Sequence, residues 1–370
     1  MHIRITPPLQ ATLLMLTVAT SLICKPAFAE SGYVYVATNQ PSGNTVVQYL
    51  RSSQGTLTRV AQVATGGKGG TGNGVGNLDP LGSQDSLVLN GVGSLLLVVN
   101  AGSNELSSMQ AGGAGLKLVS KVPSGGAFPN SVALRGDLVY VLNAHGTPNI
   151  SGFRVGSTGI LTAMPGSTRS LPGGSTAAPH DVRFTPDGTR LVVSEGGTNM
   201  IDIFELSSAG VPTGVVTQAS AGSGPFGSKF GRGGILLNTE ANTGSLSSYD
   251  VTTQDMLTVL SGAVPDTQMA TCWISITGDA KFAFVSNTAS GTVSSYEIER
   301  DGTLHLLSAV AGSLSGGAPI DSALSDDSKF IYVVDSAKGR VVFFSVQGAT
   351  LTSMGSVGDL PTTVQGAAAQ

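Results

Sequence analysis

The sequence predicts an all-β fold, a seven-bladed β-propeller of four-stranded blades whose ring is closed by pairing of the N- and C-terminal strands. Three observations predict this fold. A short β-rich run ending in Asn, Asp or Glu recurs seven times, the recurrences lie 43 to 61 residues apart, and no long stretch shows the helical period. An open β-solenoid would explain neither the unit length nor the half-unit at each end of the chain.

The N-terminal residues 1–29 have the features of a secretory signal peptide. Arg4 supplies positive charge, residues 13–23 form a short apolar core, and Ala27 and Ala29 are small residues at a cleavage site. We expect cleavage before Glu30, which leaves residues 30–370 as one exported propeller domain in the periplasm or the medium. The apolar core is too short for a membrane span, and no later run approaches the roughly 18 residues that a span needs.

Each repeating unit contains four strand patterns. The second pattern is the recurring run, which lies at 33–36, 95–99, 138–142, 191–193, 235–237, 282–285 and 330–334. A first strand precedes it, often after proline, and a turn such as Pro186-Asp187-Gly188 joins the two. A third strand follows a Gly/Asn/Ser turn, and a fourth often opens with Gly-x-Leu. This order is typical of a propeller blade.

The two ends of the chain predict how the ring closes. The first unit starts at its second strand, at Tyr33, whereas residues 361–366 resemble the first strand that this unit lacks. Pairing of the two ends would complete one blade from both termini. No open sheet edge would then remain between the first and last units.

The composition limits the partners and the chemistry. Charged residues make up 11% of the chain and the formal net charge is −4, so we exclude a nucleic-acid partner. Cys24 leaves with the signal peptide, and Cys272 is then expected to be a buried, inert thiol without a disulfide partner. We expect no metal site and no cofactor, since no ligand cluster of known spacing is present. The expected protein is a monomer.

One face of a propeller carries the loops that surround the mouth of the central channel, and we expect a small-molecule ligand or a protein partner there. The unusual length of the first unit lies in residues 66–82 on this face, which form either a lid or a passive glycine loop. Alignment of the first strands predicts a ring at the mouth formed by Asp85, Asn130, His180, Phe226, Cys272, Ile320 and Thr362. The predicted substrate-binding residues are Asn130, Asn143, His145, Arg183, Phe226, Lys229, Trp273 and Asp321. Many of the Asn and Asp side chains could equally cap their own turns.

The strongest candidate for proton transfer is His180 with Glu195, both in the fourth unit. The alternative is a purely structural hydrogen bond between this histidine and this carboxylate. His145 could equally be a solvated turn residue.

The repeats resemble the seven-bladed lactonase-like propellers, the family of bacterial 6-phosphogluconolactonase and fungal carboxymuconate cyclase. Residues 179–188 (PHDVRFTPDG) and 285–293 (VSNTASGTV) carry the resemblance, while residues 81–84 and 99–105 are similar to an exported bacterial branch. The resemblance implies ring opening or closing of a lactone. His180 would be the general base or acid, with Glu195 or Glu240 assisting.

The chain departs from the family pattern at the positions that would bind an anion. Ala178 stands where a first His is usual, Met200 replaces an Arg, and Phe226 and Gly227 replace an Arg-His pair. A cation would then have to come from Arg183, Lys229 or Lys68, so we expect a small, weakly charged lactone. A non-catalytic propeller that binds a ligand or protein on the same face is the alternative function.

Overall fold

The computed structural model describes residues 1–3, 32–72, 78–251 and 256–370. The predicted signal peptide, apart from residues 1–3, and its cleavage site before Glu30 lie outside the described residues. Within the described residues no helix is long and apolar enough to cross a membrane. Helical structure in this part of the chain consists of three 3-10 turns, at Ala101–Ser103, Gly174–Thr176 and Arg232–Gly234.

Seven antiparallel sheets form the blades of a ring, which confirms the predicted seven-bladed β-propeller. Blade 1 contains β1 (Gly32–Ala37), β2 (Thr45–Arg51), β3 (Leu57–Ala64) and the C-terminal β29 (Ala367–Ala369). Blade 2 contains β4 (Leu87–Leu89), β5 (Leu95–Asn100), β6 (Glu105–Gln110) and β7 (Lys117–Pro123), and blade 3 contains β8 (Ala127–Arg135), β9 (Leu138–His145), β10 (Asn149–Val155), β11 (Leu161–Ala163) and the short β12 (Arg169–Ser170).

The remaining four blades have four strands each. Blade 4 contains β13 (Pro179–Phe184), β14 (Arg190–Glu195), β15 (Met200–Leu206) and β16 (Pro212–Ala219), and blade 5 contains β17 (Pro225–Phe230), β18 (Ile235–Glu240), β19 (Ser245–Asp250) and β20 (Thr258–Pro265). Blade 6 contains β21 (Thr271–Ile276), β22 (Phe282–Asn287), β23 (Thr292–Ile298) and β24 (Leu304–Ser313), and blade 7 contains β25 (Pro319–Leu324), β26 (Phe330–Asp335), β27 (Arg340–Gln347) and β28 (Thr350–Val357).

The core lies between adjacent blades. The second strand of a blade is covered on both faces, so β26 is buried along its whole length, and the residues before its final Asp335 form a continuous apolar run. The fourth strands lie at the outer rim and bury only part of their residues, as in β16. This difference in burial explains why the recurring apolar run marks the second strand.

The predicted closure of the ring is confirmed, but the predicted closing strand is displaced along the chain. The strand that completes blade 1 is β29, in which Ala367 pairs with Val36, and not residues 361–366. The Gln365 N–H donates to the Ala37 carbonyl at 3.0 Å, so the end of the predicted segment leads into the strand. The sequence pattern does not predict β29, because three consecutive alanines show no alternation of apolar and polar residues.

The innermost strands of blades 3 to 7 share an irregular start. Register shifts interrupt the pairing after Pro129, Pro179, Pro225, Thr271 and Pro319. Such a bulge redirects the side chain that follows it. The bulges lie at the mouth of the channel, so they orient the residues from which a site can be built.

Candidate functional site

Residues 78–85 form a stretch, here called the axial segment, that runs from the mouth into the central channel. Leu81 and Ser83 in this segment are at most 1% exposed. The Leu81 N–H donates to the side-chain oxygen of Gln365 at 2.8 Å, and the Trp273 ring N–H donates to the Ser83 carbonyl at 2.7 Å. The axial segment therefore fills the mouth end of the channel and is bonded to the surrounding blades.

Gln84 connects the axial segment to three further strands. Its side-chain oxygen accepts the Ile274 N–H at 3.0 Å, and its side-chain nitrogen donates to the Ser228 carbonyl at 3.1 Å. Its backbone N–H donates to the carbonyl of His180 at 3.1 Å. One buried glutamine thus joins blades 4, 5 and 6 at the axis of the ring.

The insertion at residues 66–82, expected as a lid or a passive loop, begins on the surface and ends in the channel. The Gly69 N–H donates to the Gln40 carbonyl at 2.9 Å. A Cβ atom at Gly69 would lie 2.1 Å from the backbone of Asn39, so only glycine allows this approach. Residues 73–77 lie outside the described residues, and from Leu78 onward the chain enters the channel.

Asp85 ends the axial segment deeper in the channel than the sequence predicted. The alignment put Asp85 in the ring at the mouth, but its carboxylate lies 2.5 Å from the Arg183 guanidinium and 3.4 Å from the Lys229 ammonium. The prediction was wrong because the first strand of blade 2 starts only at Leu87. Burial opposes the ionisation of Asp85, but the two cations outweigh burial and lower its pKa.

Two more carboxyl groups lie inside the channel close to this ion pair. Asp181 is fully buried, accepts the N–H of Ser228 at 3.0 Å and its hydroxyl at 2.6 Å, and lies 3.4 Å from Arg183. Asp321 accepts the backbone N–H of Ser322 at 2.8 Å. Burial, followed by the charge of Asp85, raises the pKa of Asp321 to about 8. Asp321 is therefore mostly protonated at neutral pH.

A cavity of about 810 Å³ lies below this cluster, at the end of the channel away from the mouth. Its size suits a small molecule. Asp85, Arg183 and Lys229 form its floor, while its walls come from the distal ends of the innermost strands and the turns that follow them. The structure thus brings Arg183, Lys229 and Asp321 together, three of the predicted substrate-binding residues, but below the axial segment.

His180 lies at the mouth and is held by the axial segment. Its Nδ1 atom lies 2.5 Å from the carbonyl oxygen of Gly82, which can only accept, so Nδ1 carries the proton and Nε2 has the free lone pair. Its ring stacks on Phe226 at 4.3 Å, and Phe226 meets Trp273 edge-on at 4.9 Å. Burial lowers the pKa of His180 to about 4, and the hydrogen bond to Gly82 opposes this shift only in part.

The two glutamates predicted to assist His180 are bonded elsewhere among the described residues. Glu195 is fully buried and accepts the Gly173 N–H at 3.0 Å and the Thr198 hydroxyl at 2.6 Å. Glu240 is also fully buried, and it accepts the Ser220 hydroxyl at 2.6 Å. No hydrogen bond between either glutamate and His180 is described. Their participation in proton transfer stays a prediction.

The other predicted binding residues serve the mouth in different ways. Asn130 and Asn143 are fully buried and donate to the carbonyls of Pro179 and Ser124, at 2.8 and 3.2 Å. The Asn130 bond links blade 3 to the start of blade 4 and does not cap its own turn, whereas Asn143 also donates to the Asn149 side chain across its own turn at 3.0 Å. His145 is exposed and stacks on Phe128 with 4.1 Å between the ring centres. Phe226 and Trp273 are buried and form the apolar support under His180.

The axial segment also contains the site residues that sequence reasoning missed. The 61-residue spacing between the first two units located the insertion. Nothing in the local pattern of Ser83 and Gln84 indicated that they line the channel. Among the described residues, no three His, Cys, Asp or Glu side chains are arranged to hold a metal ion.

The comparisons with known proteins agree with the fold and the resemblance. Residues 235–363 match the family model described as lactonase, 7-bladed beta-propeller. The matched residues run from β18 in blade 5 to the end of blade 7. No curated protein sequence matches the chain. This match is a likeness to the lactonase-like propellers over that part of the chain.

Three solved structures share the fold at identities that support the fold alone. A candidate 6-phosphogluconolactonase from Bacteroides fragilis is 18% identical with a TM-score of 0.73, over 93% of this chain and 98% of the other. The periplasmic gluconolactonase of Pseudomonas aeruginosa is 17% identical with a TM-score of 0.73, over 91% and 98%. A protein from Lactobacillus plantarum is 21% identical with a TM-score of 0.72, over 92% and 98%.

Proposed function

We propose that this lactonase-like propeller is exported and opens or closes the ring of a small, weakly charged lactone at the channel mouth, with His180 as the proton-transferring residue. The family match over residues 235–363 supports lactonase-like chemistry in general. The observation that carries the proposal is the state of His180. The Gly82 carbonyl fixes the ring so that Nε2 keeps its lone pair, and the low pKa keeps the ring neutral at physiological pH.

In the ring-opening direction, Nε2 of His180 accepts a proton from the water that attacks the lactone carbonyl. The carbonyl carbon forms a bond to the water oxygen, and the ring C–O bond breaks. The proton on His180 then passes to the alkoxide that leaves, so the product is a hydroxy acid and His180 is neutral again. The same steps in reverse close the ring.

Gly196 determines access to Nε2. A Cβ atom at Gly196 would lie 2.3 Å from Nε2 of His180, so a side chain larger than hydrogen would cover the reacting nitrogen. The half-buried His180 ring can keep this position only because glycine follows Glu195. Glu195 holds this turn through its bond to Thr198, which is a positioning contribution in this proposal.

The substrate is weakly charged in this proposal because none of the three candidate cations is bonded to His180 in the described part of the chain. Lys68 is exposed, and its backbone N–H donates to the Ser103 hydroxyl of blade 2 at 2.9 Å. Arg183 and Lys229 lie with Asp85, on the far side of Gln84. A phosphate or a tricarboxylate at the mouth would have no partner for its charge from this pair.

The filled mouth favours a second function, the binding of a protein partner without catalysis. The axial segment closes the channel there, and Leu78 and Met269 on the same face are 41% and 63% exposed.

Acid release at constant pH by the mature protein, measured against a panel of sugar and aliphatic lactones, tests the proposal. We expect turnover that falls at least a hundredfold in His180→Ala and in Gly196→Ala. His305→Ala, at an exposed position of β24, and Gly43→Ala, where a Cβ meets nothing within 4 Å, should retain it. Equal turnover in His180→Ala would overturn the role of His180, and no turnover on any lactone would favour the binding function.

A further inference from the structure

The cavity at the distal end of the channel is separate from the mouth. It has a volume of about 810 Å³, and its floor is formed by Asp85, Arg183 and Lys229. Ser83 and Gln84, both at most 1% exposed, stand between this floor and the mouth. A ligand in the cavity would therefore meet none of the groups that surround His180, and its binding would not depend on lactone chemistry at the mouth.

Both cations at the floor are paired with acidic side chains. Asp85, whose pKa is lowered by the two cations, bridges Arg183 and Lys229, and Arg183 also lies beside Asp181. Burial raises the pKa of Asp181 against the charge of Arg183, and Asp321, whose pKa is raised to about 8, adds little charge at neutral pH. An anionic ligand would be placed beside Asp85, and a cationic ligand beside Lys229, so neither gains a net attraction.

The floor nevertheless keeps unused hydrogen-bonding capacity. The side chains of Lys229 and Asp85 are 32% and 15% exposed, so both are reachable. The Lys229 ammonium has three N–H donors, of which one is directed to Asp85 at 3.4 Å. One carboxylate oxygen of Asp85 accepts a hydrogen bond from Arg183 and the other accepts one from Lys229. Each oxygen has a second lone pair that can accept a bond from a ligand. A hydroxyl group, which donates and accepts, can use both residues at once.

The walls of the cavity suit the carbon skeleton of the same ligand. Phe184 and Phe230 line it on neighbouring strands, together with aliphatic side chains such as Leu134 and Ile276. Ser275, Thr277, Asp279 and Arg232 also line the cavity, so polar groups for hydroxyls lie among the apolar ones.

We propose that this cavity binds an uncharged, polyhydroxylated ring, such as a monosaccharide or a cyclic polyol, with its hydroxyl groups on Asp85 and Lys229. Its C–H face lies against Phe184 and Phe230. The size of the cavity admits one such ring with room for a second.

Ligand-observed NMR and calorimetry with the mature protein test this site at neutral pH. The uncharged probes are glucose, galactose, mannose and myo-inositol, and glucosamine and glucuronate are charged rings of similar size. Lys229→Met removes the ammonium, and Phe230→Leu alters a wall without a change in charge. Lys329→Met is the matched control, because Lys329 is exposed and pairs with Asp327 at 3.2 Å away from the cavity.

We expect at least one uncharged probe to bind with a dissociation constant of millimolar or lower. Both charged rings should bind at least tenfold more weakly than that probe. Lys229→Met and Phe230→Leu should each weaken its binding at least fivefold, with less than a twofold change in Lys329→Met. The absence of binding by all four uncharged probes, equal binding of a charged ring, or unchanged affinity in both cavity variants would overturn the proposal.

Discussion

Truncation of Gln84 tests whether the axial segment holds the ring together from inside. Gln84 is 1% exposed, and its amide bonds to the Ile274 N–H at 3.0 Å and to the Ser228 carbonyl at 3.1 Å. In Gln84→Ala the buried Ile274 N–H loses its acceptor, which costs about 1–3 kcal/mol. The space left by the amide adds about 1 kcal/mol if it does not collapse. We therefore expect a loss of about 2–4 kcal/mol in the free energy of unfolding.

Urea denaturation followed by tryptophan fluorescence measures this loss, because the one tryptophan, Trp273, donates to Ser83 next to Gln84. Gln62→Ala is the matched control, since Gln62 is exposed on the outer strand β3 and its removal should change stability by at most about 0.5 kcal/mol. If the free energy of unfolding of Gln84→Ala lies within about 0.5 kcal/mol of that of the parent, the bonds of Gln84 do not stabilise the ring.

Three further predictions concern the channel. Gly227→Ala should lower the urea midpoint clearly, because its Cβ would lie 2.1 Å from the Gln84 side chain, while Gly43→Ala should not; equal midpoints would contradict this packing. Arg183→Met should cost about 3–5 kcal/mol by leaving Asp85 and Asp181 unpaired, and Asp85→Asn in the same chain should restore part of it; the absence of rescue would contradict the ion network. The folded-state pKa of Asp321 is about 8, above its ordinary value, so its protonated form stabilises the fold and this contribution is lost as pH rises from about 4 to 8. Asp321→Asn should flatten the decline in stability over that range, and an unchanged pH profile would contradict the assignment.

The ring of blades could be predicted from the sequence because each blade repeats the same constraint. A second strand covered on both faces needs a continuous apolar run, so β26 and its counterparts recur at a nearly constant spacing. The closing strand could be placed only within a few residues. The strand that pairs with β1 consists of three alanines, and their pattern gives no signal of a strand. Residues 361–366, in contrast, have the pattern of a first strand.

The path of the insertion could not be predicted from the sequence. The predicted site therefore lacked Ser83 and Gln84 and put Asp85 in the wrong place. The repeat length showed that extra residues precede Leu87, but the choice between a loop over the mouth and a segment inside it depends on contacts with several blades. Gln84 meets partners that lie more than a hundred residues away in the chain, at Ser228 and Ile274. For the same reason Asp85 could not be placed beside Arg183 and Lys229 by alignment of strands.

The protonation state of the His180 ring decides whether this residue can accept a proton at the mouth of the channel. Nitrogen-15 NMR of the mature protein labelled at histidine distinguishes the two neutral tautomers and follows protonation with pH. We expect the tautomer with the proton on Nδ1, donated to Gly82, and a pKa of about 4. A proton on Nε2, or a pKa near the ordinary 6.5, would contradict the claim that His180 presents a free lone pair at the mouth of the channel.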